Sequence, residues 1–382
     1  MTLKWISNDY IIYSENIVSY VSDKVKVAGF DLDHTLIRPN GKRTHPKDKN
    51  DYEYVFPNII EKMKKLHYDG FSILIFSNQD DLNKKPEKKD IVLSRIQRLW
   101  KEVFDNHNIP LQVFISIGRD FCRKPNTGML DFFLSLHKIK LHKTSFYVGD
   151  AAGRTKTKTA KKDFSCSDRM FASNCKMNFM TPEQFFDEDD HRAYIMDNTA
   201  LTMFMKEDTE GTMEKAIIPY NDIKTYDIVM IMGPQGSGKS YLSSKLVKKY
   251  GFTDIVSFDN CRTKAKCLRM YQGLLKLDDK KIILDNTHSK KSSRKEYLDK
   301  LPKDKKILLI KINVDKTQSF FLDNFRCKAN KTKRFPDVVI HSYFKFYEEP
   351  DVSEGFDRII EIPFIPNFKG KPKLRELFYQ YY

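Results

Sequence analysis

The feature that most constrains the fold is a glycine-rich run that directly follows a short apolar segment, Asp227–Met232. The run reads Gly233-Pro234-Gln235-Gly236-Ser237-Gly238-Lys239-Ser240. Its glycines let backbone N–H groups turn inward around phosphate oxygens, and the helix predicted over Lys239–Tyr250 would present its positive N-terminus to the same anion. Lys239 can reach the β- and γ-phosphates, and the Ser240 hydroxyl can ligate Mg²⁺. The pattern therefore predicts a strand, a nucleotide-binding loop and a helix within an α/β sheet.

A phosphate-binding loop does not identify the phosphoryl acceptor, and three later residues are candidates for that chemistry. Asp259 ends the next apolar segment and could accept the proton of an attacking hydroxyl, or could cap the following helix. Asp285 ends another apolar segment and could hold Mg²⁺ or position water, with helix capping again the alternative. Arg326 lies on a predicted helix and could close over the phosphates as a lid, or could be a solvated surface residue.

The N-terminal half contains a pair of aspartates, Asp31 and Asp33, at the end of the apolar segment Val25–Leu32. On an extended segment the i, i+2 spacing directs both carboxylates to one side. Two close carboxylates repel, so at least one of them needs a cation or a raised pKa. Asp31 could attack phosphorus and form an aspartyl-phosphate, while Asp33 could protonate the leaving oxygen and then activate water.

The pattern D-x-D-x-T after an apolar strand resembles the first motif of the haloacid dehalogenase superfamily, and further elements of that superfamily follow in its order. Ser77 follows a predicted strand, where the family places a hydroxyl on the phosphate. Lys124 lies in Arg123–Gly128, at the place of the family lysine that neutralises phosphate. Asp150 and Asp168 could hold Mg²⁺ together with Asp31 and Asp33 through oxygen ligands. Individually, each residue could instead be a cap or a surface charge.

Two regions of the chain alternate strand and helix patterns, which favours parallel sheets covered on both faces. We predict strands at Val25–Leu32, Phe71–Phe76, Gln112–Ile117 and Ser145–Val148 in the first region and at Asp227–Met232, Lys281–Leu284 and Ile307–Ile312 in the second. The predicted organisation is a phosphatase domain over residues 1–200, a linker over 201–224 and a kinase domain over 225–382. The predicted fold class is α/β with two domains.

Net charge and cysteine content limit the candidate binding partners and the cellular compartment. The formal net charge of +16 attracts polyanions, although many of the lysines could simply keep the surface soluble. The six cysteines form no C-x-x-C pair, which argues against structural zinc and favours reduced thiols inside the cell, in the nucleus or cytoplasm. No apolar segment reaches the roughly 20 residues of a membrane span, so we expect no membrane partner.

Longer stretches of the sequence resemble the polynucleotide kinase 3′-phosphatase family of the animal type. The matching segments are Arg123–Met129, Tyr147–Arg154, Lys161–Arg169, Thr181–Phe186, Asp285–Thr287 and Glu354–Phe364. The resemblance implies a haloacid dehalogenase-like Rossmannoid phosphatase joined to an adenylate-kinase-like P-loop kinase. It implies that Asp31 is the nucleophile, Asp33 the general acid–base, and Ser77 and Lys124 the phosphate ligands. In the kinase it implies a base at Asp259 and a lid arginine at Arg326.

The same resemblance implies the metal ligands and leaves one of them open. Mg²⁺ would be held at Asp31, Asp33, Asp150 and Asp168 in the phosphatase, with Asp163 as the alternative to Asp168, and at Ser240 with ATP in the kinase. Three departures stand out. His34 occupies a place where the family usually has a small residue. Ser257-Phe258 stand before Asp259 where animal members tend to have Asn-Arg. We do not expect the N-terminal phosphopeptide-binding module of vertebrate members.

The leading functional hypothesis is an enzyme that removes a 3′-phosphate and adds a 5′-phosphate, so that a ligase can join the ends during DNA repair. Its partners would be DNA ends, gaps or nicks, with a monomeric chain and a DNA ligase or other repair proteins acting on the product. The alternatives are an RNA-end or small-molecule kinase–phosphatase and a nucleic-acid-binding scaffold with inactive sites. The sequence does not separate DNA from RNA, because discrimination of the 2′-hydroxyl depends on groove geometry.

Overall fold

The described part of the chain forms two compact units. In this computed structural model the described residues are 3–15, 20–41, 43, 45–80, 82, 84–187, 190–196 and 221–381. The N-terminal unit contains the residues up to 196 with 330–333 and 379–381, and the C-terminal unit contains 221–329 and 334–378. The predicted linker lies outside the described residues except for 221–224, so its boundaries stay a prediction. No helix among the described residues is long and apolar enough to cross a membrane.

The N-terminal unit alternates strands and helices along most of its length. Its strands are β1 (Trp5–Ser7), β2 (Ile11–Ser14), β3 (Lys24–Phe30), β4 (Ile37–Arg38), β5 (Glu53–Tyr54), β6 (Phe71–Asn78), β7 (Leu111–Ser116), β8 (Lys140–Leu141), β9 (Phe146–Val148) and β10 (Asn178–Met180). Its helices are α1 (Ile59–Tyr68), α2 (Pro86–His107), α3 (Gly128–His137), α4 (Ser167–Asn174) and α5 (Pro182–Phe186). The strands predicted at β3, β6, β7 and β9 are confirmed, each within one or two residues of its predicted ends.

The main sheet of this unit has the order β1-β2-β7-β6-β3-β9-β10. Five of these strands, β7, β6, β3, β9 and β10, are parallel to one another. Strands β1 and β2 extend it antiparallel, an addition that the sequence patterns did not indicate. The first parallel strand of the chain, β3, lies between β6 and β9, so the order of connection reverses there. In open α/β sheets, ligands bind at the carboxyl ends of the strands at such a switch point.

Both faces of this sheet are covered, as the near-continuous apolar strands predict. Along β6, Ile73 and Ile75 face one buried cluster, and Leu74 and Phe76 face the other. Helix α2 packs on the first cluster through an apolar stripe at helical spacing, formed by Val92, Ile96, Leu99 and Val103. Full burial of each such side chain contributes about 1.5–3 kcal/mol. The packing of α2 therefore stabilises the sheet whose strand ends carry the candidate residues.

The C-terminal unit contains a second α/β sheet. Its strands are β11 (Ile228–Met232), β12 (Asp254–Ser257), β13 (Ile282–Asp285), β14 (Ile307–Asn313) and β15 (Arg358–Pro363). Its helices are α6 (Lys239–Tyr250), α7 (Phe258–Cys261), α8 (Lys264–Leu274), α9 (Lys291–Leu298), α10 (Lys316–Asn330), α11 (Asp337–Lys345) and α12 (Pro372–Phe378), with 3-10 turns at Asn221–Thr225 and Val352–Glu354. All five strands are parallel, in the order β12-β13-β11-β14-β15. The two-domain α/β prediction is confirmed, with β11 at the centre of the second sheet.

A buried ion pair ties α9 to the segment before β15. The guanidinium of Arg294 donates to both carboxylate oxygens of Glu354, at 2.8 and 2.7 Å, and neither side chain is more than 2% exposed. A third nitrogen of Arg294 donates to the carbonyl oxygens of His288 and Glu348, at 3.1 and 3.0 Å. Because this guanidinium has no access to water, loss of one of those partners would leave a buried charge uncompensated and would destabilise the C-terminal unit.

We predict that Glu354→Ala lowers the free energy of unfolding of the C-terminal unit by about 3–5 kcal/mol, because it leaves a buried guanidinium without its counter-charge. Urea denaturation would measure the loss. The matched control is Glu296→Ala, which removes the partner of Lys264 in a solvent-exposed pair and should cost about 1 kcal/mol or less. Equal effects of the two substitutions would contradict the assignment.

Candidate active sites

The two N-terminal aspartates lie where the sheet reverses its order. Asp31 directly follows β3, and its backbone N–H donates to the carbonyl oxygen of Val148 at the end of β9, at 2.9 Å. Asp150 stands two residues beyond that carbonyl, so the ends of the two neighbouring strands bring both carboxylates to one edge. Asp31 is 8% exposed. The location agrees with the ligand-binding edge of an α/β sheet.

Three carboxylates converge at this edge. One oxygen each of Asp31, Asp150 and Asp168 lies within 4.8 Å of the others. Asp168 enters from the first turn of α4, and its Oδ2 accepts from the backbone N–H of Ala151 at 3.0 Å. Gly149 makes room for it, because a Cβ at that position would lie 2.5 Å from the Asp168 carboxyl carbon. We call Asp31, Asp150 and Asp168 the carboxylate triad.

Lys124 lies buried against the triad. Its ammonium group donates to Asp31 Oδ1 at 2.5 Å, to Asp168 Oδ1 at 2.7 Å and to the hydroxyl of Tyr147 at 2.8 Å. Asn78, at the end of β6, holds the Lys124 backbone through both of its amide atoms, at 2.9 and 3.1 Å. Lys124 is therefore fixed from β6 and directed toward the nucleophile candidate.

The charges at this site do not balance. Burial raises the pKa of Asp31 to about 7; the nearby ammonium of Lys124 acts against this and the Asp168 carboxylate adds to it. Burial also raises the pKa of Asp150 well above its ordinary value, with the charges of Asp31 and Asp168 adding to the effect. Burial alone would lower the pKa of Lys124, but the carboxylates of Asp168 and Asp31 outweigh it and raise that pKa. Three acidic oxygens facing one ammonium fit a divalent cation that prefers oxygen ligands.

Asp33 lies apart from the triad, in a different environment. Its Oδ2 accepts from Gln79 Nε2 at 2.6 Å, and its Oδ1 accepts from Arg95 Nη2 at 3.3 Å. Arg95 is 1% exposed on α2, and its Nε has no hydrogen-bond partner among the described residues. Gln79 also donates to the hydroxyl oxygen of Ser77, at 3.1 Å, so Ser77 lies beside the same group. The Asp33 carboxylate is oriented by α2 and by the end of β6.

Sequence reasoning missed Gln79 and Arg95, although each left a signal. Gln79 follows Ser77 by two residues, so on an extended segment both side chains project to one side. Arg95 interrupts the apolar stripe of α2, between Val92 and Ile96. A basic residue within an apolar stripe is either a packing defect or the partner of a buried acid.

The structure distinguishes between Asp163 and Asp168, the two alternatives for one predicted metal ligand. Asp163 is engaged by Arg154: its Oδ2 accepts from Arg154 Nε at 2.8 Å and from the backbone N–H groups of Arg154 and Ala152, at 3.0 and 3.2 Å. The structure brings Asp168, and not Asp163, into the carboxylate triad. The metal-binding roles themselves stay predictions.

The second site is built on the loop between β11 and α6. Gly236 and Gly238 have φ of +80° and +85°, which a residue without a Cβ adopts without strain. Lys239 Nζ donates to the carbonyl oxygens of Gly233 and Pro234, at 3.0 and 2.7 Å. Burial lowers the pKa of Lys239 to about 8, against the opposing charges of Asp285 and Asp259. Ser240 is exposed in the first turn of α6, so the loop, the lysine and the hydroxyl lie together, and their role in binding ATP stays a prediction.

The aspartates of this site are not helix caps. Ser257 caps α7 by accepting from the Asn260 N–H at 3.2 Å, and Thr263 caps α8 in the same way at 3.3 Å. Asp259 is exposed in the first turn of α7, and its charge acts on Lys239. Asp285 ends β13 next to β11, where its carboxylate accepts from the Ser243 hydroxyl at 3.0 Å. The charges of both aspartates therefore act on Lys239 in the loop between β11 and α6.

Arg326 lies on α10, which packs directly on the phosphate loop. The Ser319 hydroxyl donates to the Gln235 carbonyl at 2.7 Å, and a Cβ on Gly236 would lie 2.9 Å from the Asp323 backbone nitrogen. Arg326 donates to Asp323 Oδ1 at 2.8 Å, and its guanidinium lies 4.2 Å from the ring centre of Phe335. Helix α10 thus carries a positioned arginine within one turn of the residue that touches the loop.

The family model described as polynucleotide kinase 3 phosphatase matches residues 26–186. A bifunctional polynucleotide phosphatase/kinase of Schizosaccharomyces pombe is 30% identical over 344 residues, which cover 89% of this chain and 80% of that protein. A putative bifunctional polynucleotide phosphatase/kinase of Acanthamoeba polyphaga mimivirus is 27% identical over 398 residues, covering 95% and 90%. A polynucleotide 3′-phosphatase of Saccharomyces cerevisiae is 30% identical and covers 42% of this chain and 87% of its own.

His34, between Asp33 and Thr35, has a backbone conformation that suits a smaller residue. Its φ is +61°, in the left-handed region, and its side chain is exposed. The small residue that we expected at this place from the resemblance would adopt that conformation without strain. The departure at His34 therefore affects backbone energy in the turn that carries the acid–base candidate.

We predict that His34→Gly raises the free energy of unfolding of the N-terminal unit by about 0.5–1 kcal/mol. It relieves roughly 1–2 kcal/mol of left-handed strain and loses roughly 0.5–1 kcal/mol to the greater freedom of the unfolded glycine. Thermal denaturation would measure the change. The control is His67→Gly within α1, which should lower stability by about 1 kcal/mol, and a loss at both positions would contradict the strain argument.

Proposed function

The chain belongs to the bifunctional polynucleotide phosphatase/kinase family, and we propose that its carboxylate-triad site removes a 3′-phosphate while its phosphate-loop site phosphorylates a 5′-hydroxyl. The observation that carries the proposal is that each compact unit contains the groups for one of these reactions. The product end, with a 3′-hydroxyl and a 5′-phosphate, is the form that a DNA ligase joins. The proposal therefore puts this chain immediately before ligation in DNA repair, in the nucleus or cytoplasm, wherever the DNA is held.

The phosphatase reaction uses two carboxylates in succession. An oxygen of Asp31 attacks the phosphorus of the 3′-phosphate, the bond from phosphorus to the 3′-oxygen breaks, and that oxygen takes the proton of Asp33. The ionised Asp33 then takes a proton from water, whose oxygen attacks the phosphorus of the aspartyl-phosphate. The bond from phosphorus to the Asp31 oxygen breaks, which releases phosphate and restores the Asp31 carboxylate. Lys124 and the Ser77 hydroxyl bind the phosphoryl oxygens. Contacts of Lys124 with Asp31 and of Gln79 with both Ser77 and Asp33 support this division of roles.

The kinase reaction depends on positioning. Backbone N–H groups of Gly233–Ser240 and the ammonium of Lys239 hold the ATP phosphates. Asp259 takes the proton of the 5′-hydroxyl as its oxygen attacks the γ-phosphorus and ADP leaves. Arg326 stabilises the charge on the transferring group from α10. The charge of Asp259 acting on Lys239 supports its nearness to the phosphates.

Mg²⁺ and ATP are the proposed cofactor and co-substrate. The Asp31, Asp150 and Asp168 oxygens would hold Mg²⁺ in the phosphatase, and Ser240 with Asp285 would hold it in the kinase. When bound, the ion neutralises charge on the phosphoryl oxygens. The proposed active form is a monomer.

We predict that the two activities are separable by single substitutions. The substrate is a duplex whose single-nucleotide gap carries a 3′-phosphate and a 5′-hydroxyl, with Mg²⁺ and ATP. Asp31→Asn should abolish 3′-dephosphorylation and leave 5′-phosphorylation unchanged, and Lys239→Ala should do the reverse. Both ends are followed by gel electrophoresis, and a matched RNA substrate reports which nucleic acid is preferred. Loss of both reactions in either variant would contradict the two-site assignment.

We also predict that Arg95 acts on proton transfer through Asp33. Arg95→Met should slow 3′-dephosphorylation of an oligonucleotide at least tenfold, because the sugar oxygen is a poor leaving group and general acid catalysis contributes about 10²–10⁴-fold. With p-nitrophenyl phosphate, whose phenolate needs no proton to leave, the first turnover should stay fast and the later steady state should slow. Stopped-flow absorbance would separate the two phases.

The control for this prediction is Arg98→Met, which removes a guanidinium three residues further along the same helix, near Tyr52. It should leave both substrates unaffected. Arg95→Lys should restore part of the oligonucleotide rate, since it keeps a positive charge near Asp33. A uniform loss on both substrates in the first turnover would mean that Arg95 only supports the fold.

A further inference from the structure

Three sulfur-containing side chains meet in the two helices that follow β12. Cys261 ends the short helix α7, and Cys267 and Met270 lie on α8. The Cys261 Sγ lies 3.8 Å from the Met270 Sδ. The side chains of Cys261 and Cys267 are in hydrogen-bond contact as well. We call Cys261, Cys267 and Met270 the sulfur cluster, and neither of the proposed reactions uses it.

The turn between α7 and α8 creates the sulfur cluster. Arg262 ends α7 with a φ of +64°, in the left-handed region, and changes the direction of the chain. Thr263 then caps α8 through its hydroxyl. Because Cys267 and Met270 are three residues apart on a helix, both side chains lie on one face of α8. That face is directed toward the thiol of Cys261, which contacts both of them.

The sulfur cluster is closed on the side of the protein and open on one side to solvent. Cys267 is 1% exposed and Cys261 is 9% exposed, whereas Met270 is 38% exposed. The hydroxyl of Tyr297, which is buried on α9, donates to the sulfur of Cys267. A donor of this kind orients a sulfur ligand and stabilises its ionised form. An ion would therefore enter past the Met270 thioether and meet a sulfur that is already oriented.

The spacing of the sulfurs suits a metal ion. A single buried cysteine is usually a small apolar side chain in a core, and no metal has to be invoked for it. Here two sulfurs from different helices lie 3.8 Å apart, with a third in contact. With metal–sulfur bonds of about 2.3 Å, the sulfurs of a trigonal site lie about 4.0 Å apart. An ion between Cys261 and Met270 would therefore need almost no movement of their sulfurs.

The ligand types select the class of ion. Thiolate and thioether sulfurs are soft ligands, and they favour Cu(I) over ions that prefer oxygen or nitrogen. Across the described residues, no His, Asp, Glu or further Cys joins both thiols within 4.8 Å, so the four ligands of a structural zinc site are not gathered here. Arg262, Lys266 and Arg269 are exposed on or between the same two helices, so positive charge stands near a site that would carry two thiolates.

We propose that the sulfur cluster is a binding site for Cu(I), held by the thiolates of Cys261 and Cys267 and by the thioether of Met270. Binding forms three copper–sulfur bonds, releases the two thiol protons to solvent and changes no oxidation state. The bound ion would connect α7 to α8. The inference does not depend on the proposed phosphatase and kinase reactions, because no group of either reaction is a ligand.

The site should bind Cu(I) more tightly as the pH rises. Burial and the contact with Cys261 raise the pKa of Cys267 to about 11, so near neutrality this thiol is protonated and the ion has to displace its proton. Below that pKa, the apparent affinity should increase about tenfold per pH unit for each proton released.

The test is a titration of the full chain with Cu(I) under argon, with ascorbate to keep the copper reduced. Bicinchoninate competes for the ion, and its coloured complex reports the copper that the protein has not bound. Wild type should bind a single Cu(I) tightly, and the X-ray absorption of the bound copper should show sulfur neighbours only. The double variant Cys261→Ser/Cys267→Ser should lose this binding.

Met270→Leu is the sharper variant, because it keeps the size of the side chain and removes only the thioether. Loss of a group outside the ligand shell weakens metal binding about 10- to 100-fold, and loss of this ligand should cost at least as much. Thermal denaturation without copper should give the same midpoint for Met270→Leu and wild type, which shows that the fold is kept. The matched cysteine control is Cys166→Ser, since Cys166 is the one cysteine that is not buried. It should leave the affinity for Cu(I) unchanged.

Three results would overturn the proposal. If wild type does not compete with bicinchoninate, the sulfur cluster is core packing alone. If Met270→Leu binds Cu(I) as tightly as wild type, or if Cys166→Ser weakens binding as much as the double variant does, the ion is held elsewhere. If an equal concentration of Zn²⁺ displaces the copper, the assignment to a soft ion is wrong.

Discussion

The ammonium of Lys124 lies between the carboxylates of Asp31 and Asp168, and the geometry of the phosphatase site depends on it. Without a positive charge at this point, acidic groups buried at the ends of β3 and β9 would repel and take up protons. Lys124 fixes Asp31 and Asp168 at hydrogen-bond distance, and the loop that carries it is held by Asn78 at the end of β6. One lysine leaves the negative charge in excess. An excess of acidic groups is the charge pattern that the proposed divalent cation would neutralise.

The second unit has the same sheet geometry but the opposite electrostatic character, because its loop presents hydrogen-bond donors where the first unit presents carboxylates. Its strand-to-helix loop has the form that suits an anion, with backbone N–H groups and one lysine, and Asp259 nearby is exposed. Glycines with positive φ at 236 and 238 shape the loop, and α10 packs close enough that a Cβ at Gly236 would meet its backbone. In the phosphatase the cradle is made by side chains, and in the kinase it is made by the main chain. Both are placed by the carboxyl ends of parallel strands.

The features of the fold and of the sites that could be predicted are those that a local sequence pattern identifies. The apolar strands, the aspartates that end them and the glycine-rich loop are short-range signals, and each appears in the structure where the sequence indicated. Asp168 could be narrowed to a pair with Asp163 but not chosen, because the choice depends on Arg154 binding Asp163. Arg95 and Gln79 were missed for the same reason. Each left a local signal, but their contacts with Asp33 span 46 and 62 residues of chain, and a local pattern does not show which acid such a residue meets.

The different surroundings of Asp31 and Asp33 explain how two carboxylates, two residues apart, can have different tasks. Asp31 faces an ammonium and two other acids, so both its ionisation and its position respond to whatever charge enters the site. Asp33 faces a neutral amide and a guanidinium that is buried on α2, so its orientation is set by the fold. A nucleophile has to meet phosphorus, and an acid–base group has to meet the leaving oxygen and then a water. Pairs of titratable groups in contrasting environments are the usual way for proteins to separate such roles. Because Arg95 lies in the apolar stripe of α2, the same packing that stabilises the sheet also fixes the orientation of the Asp33 carboxylate.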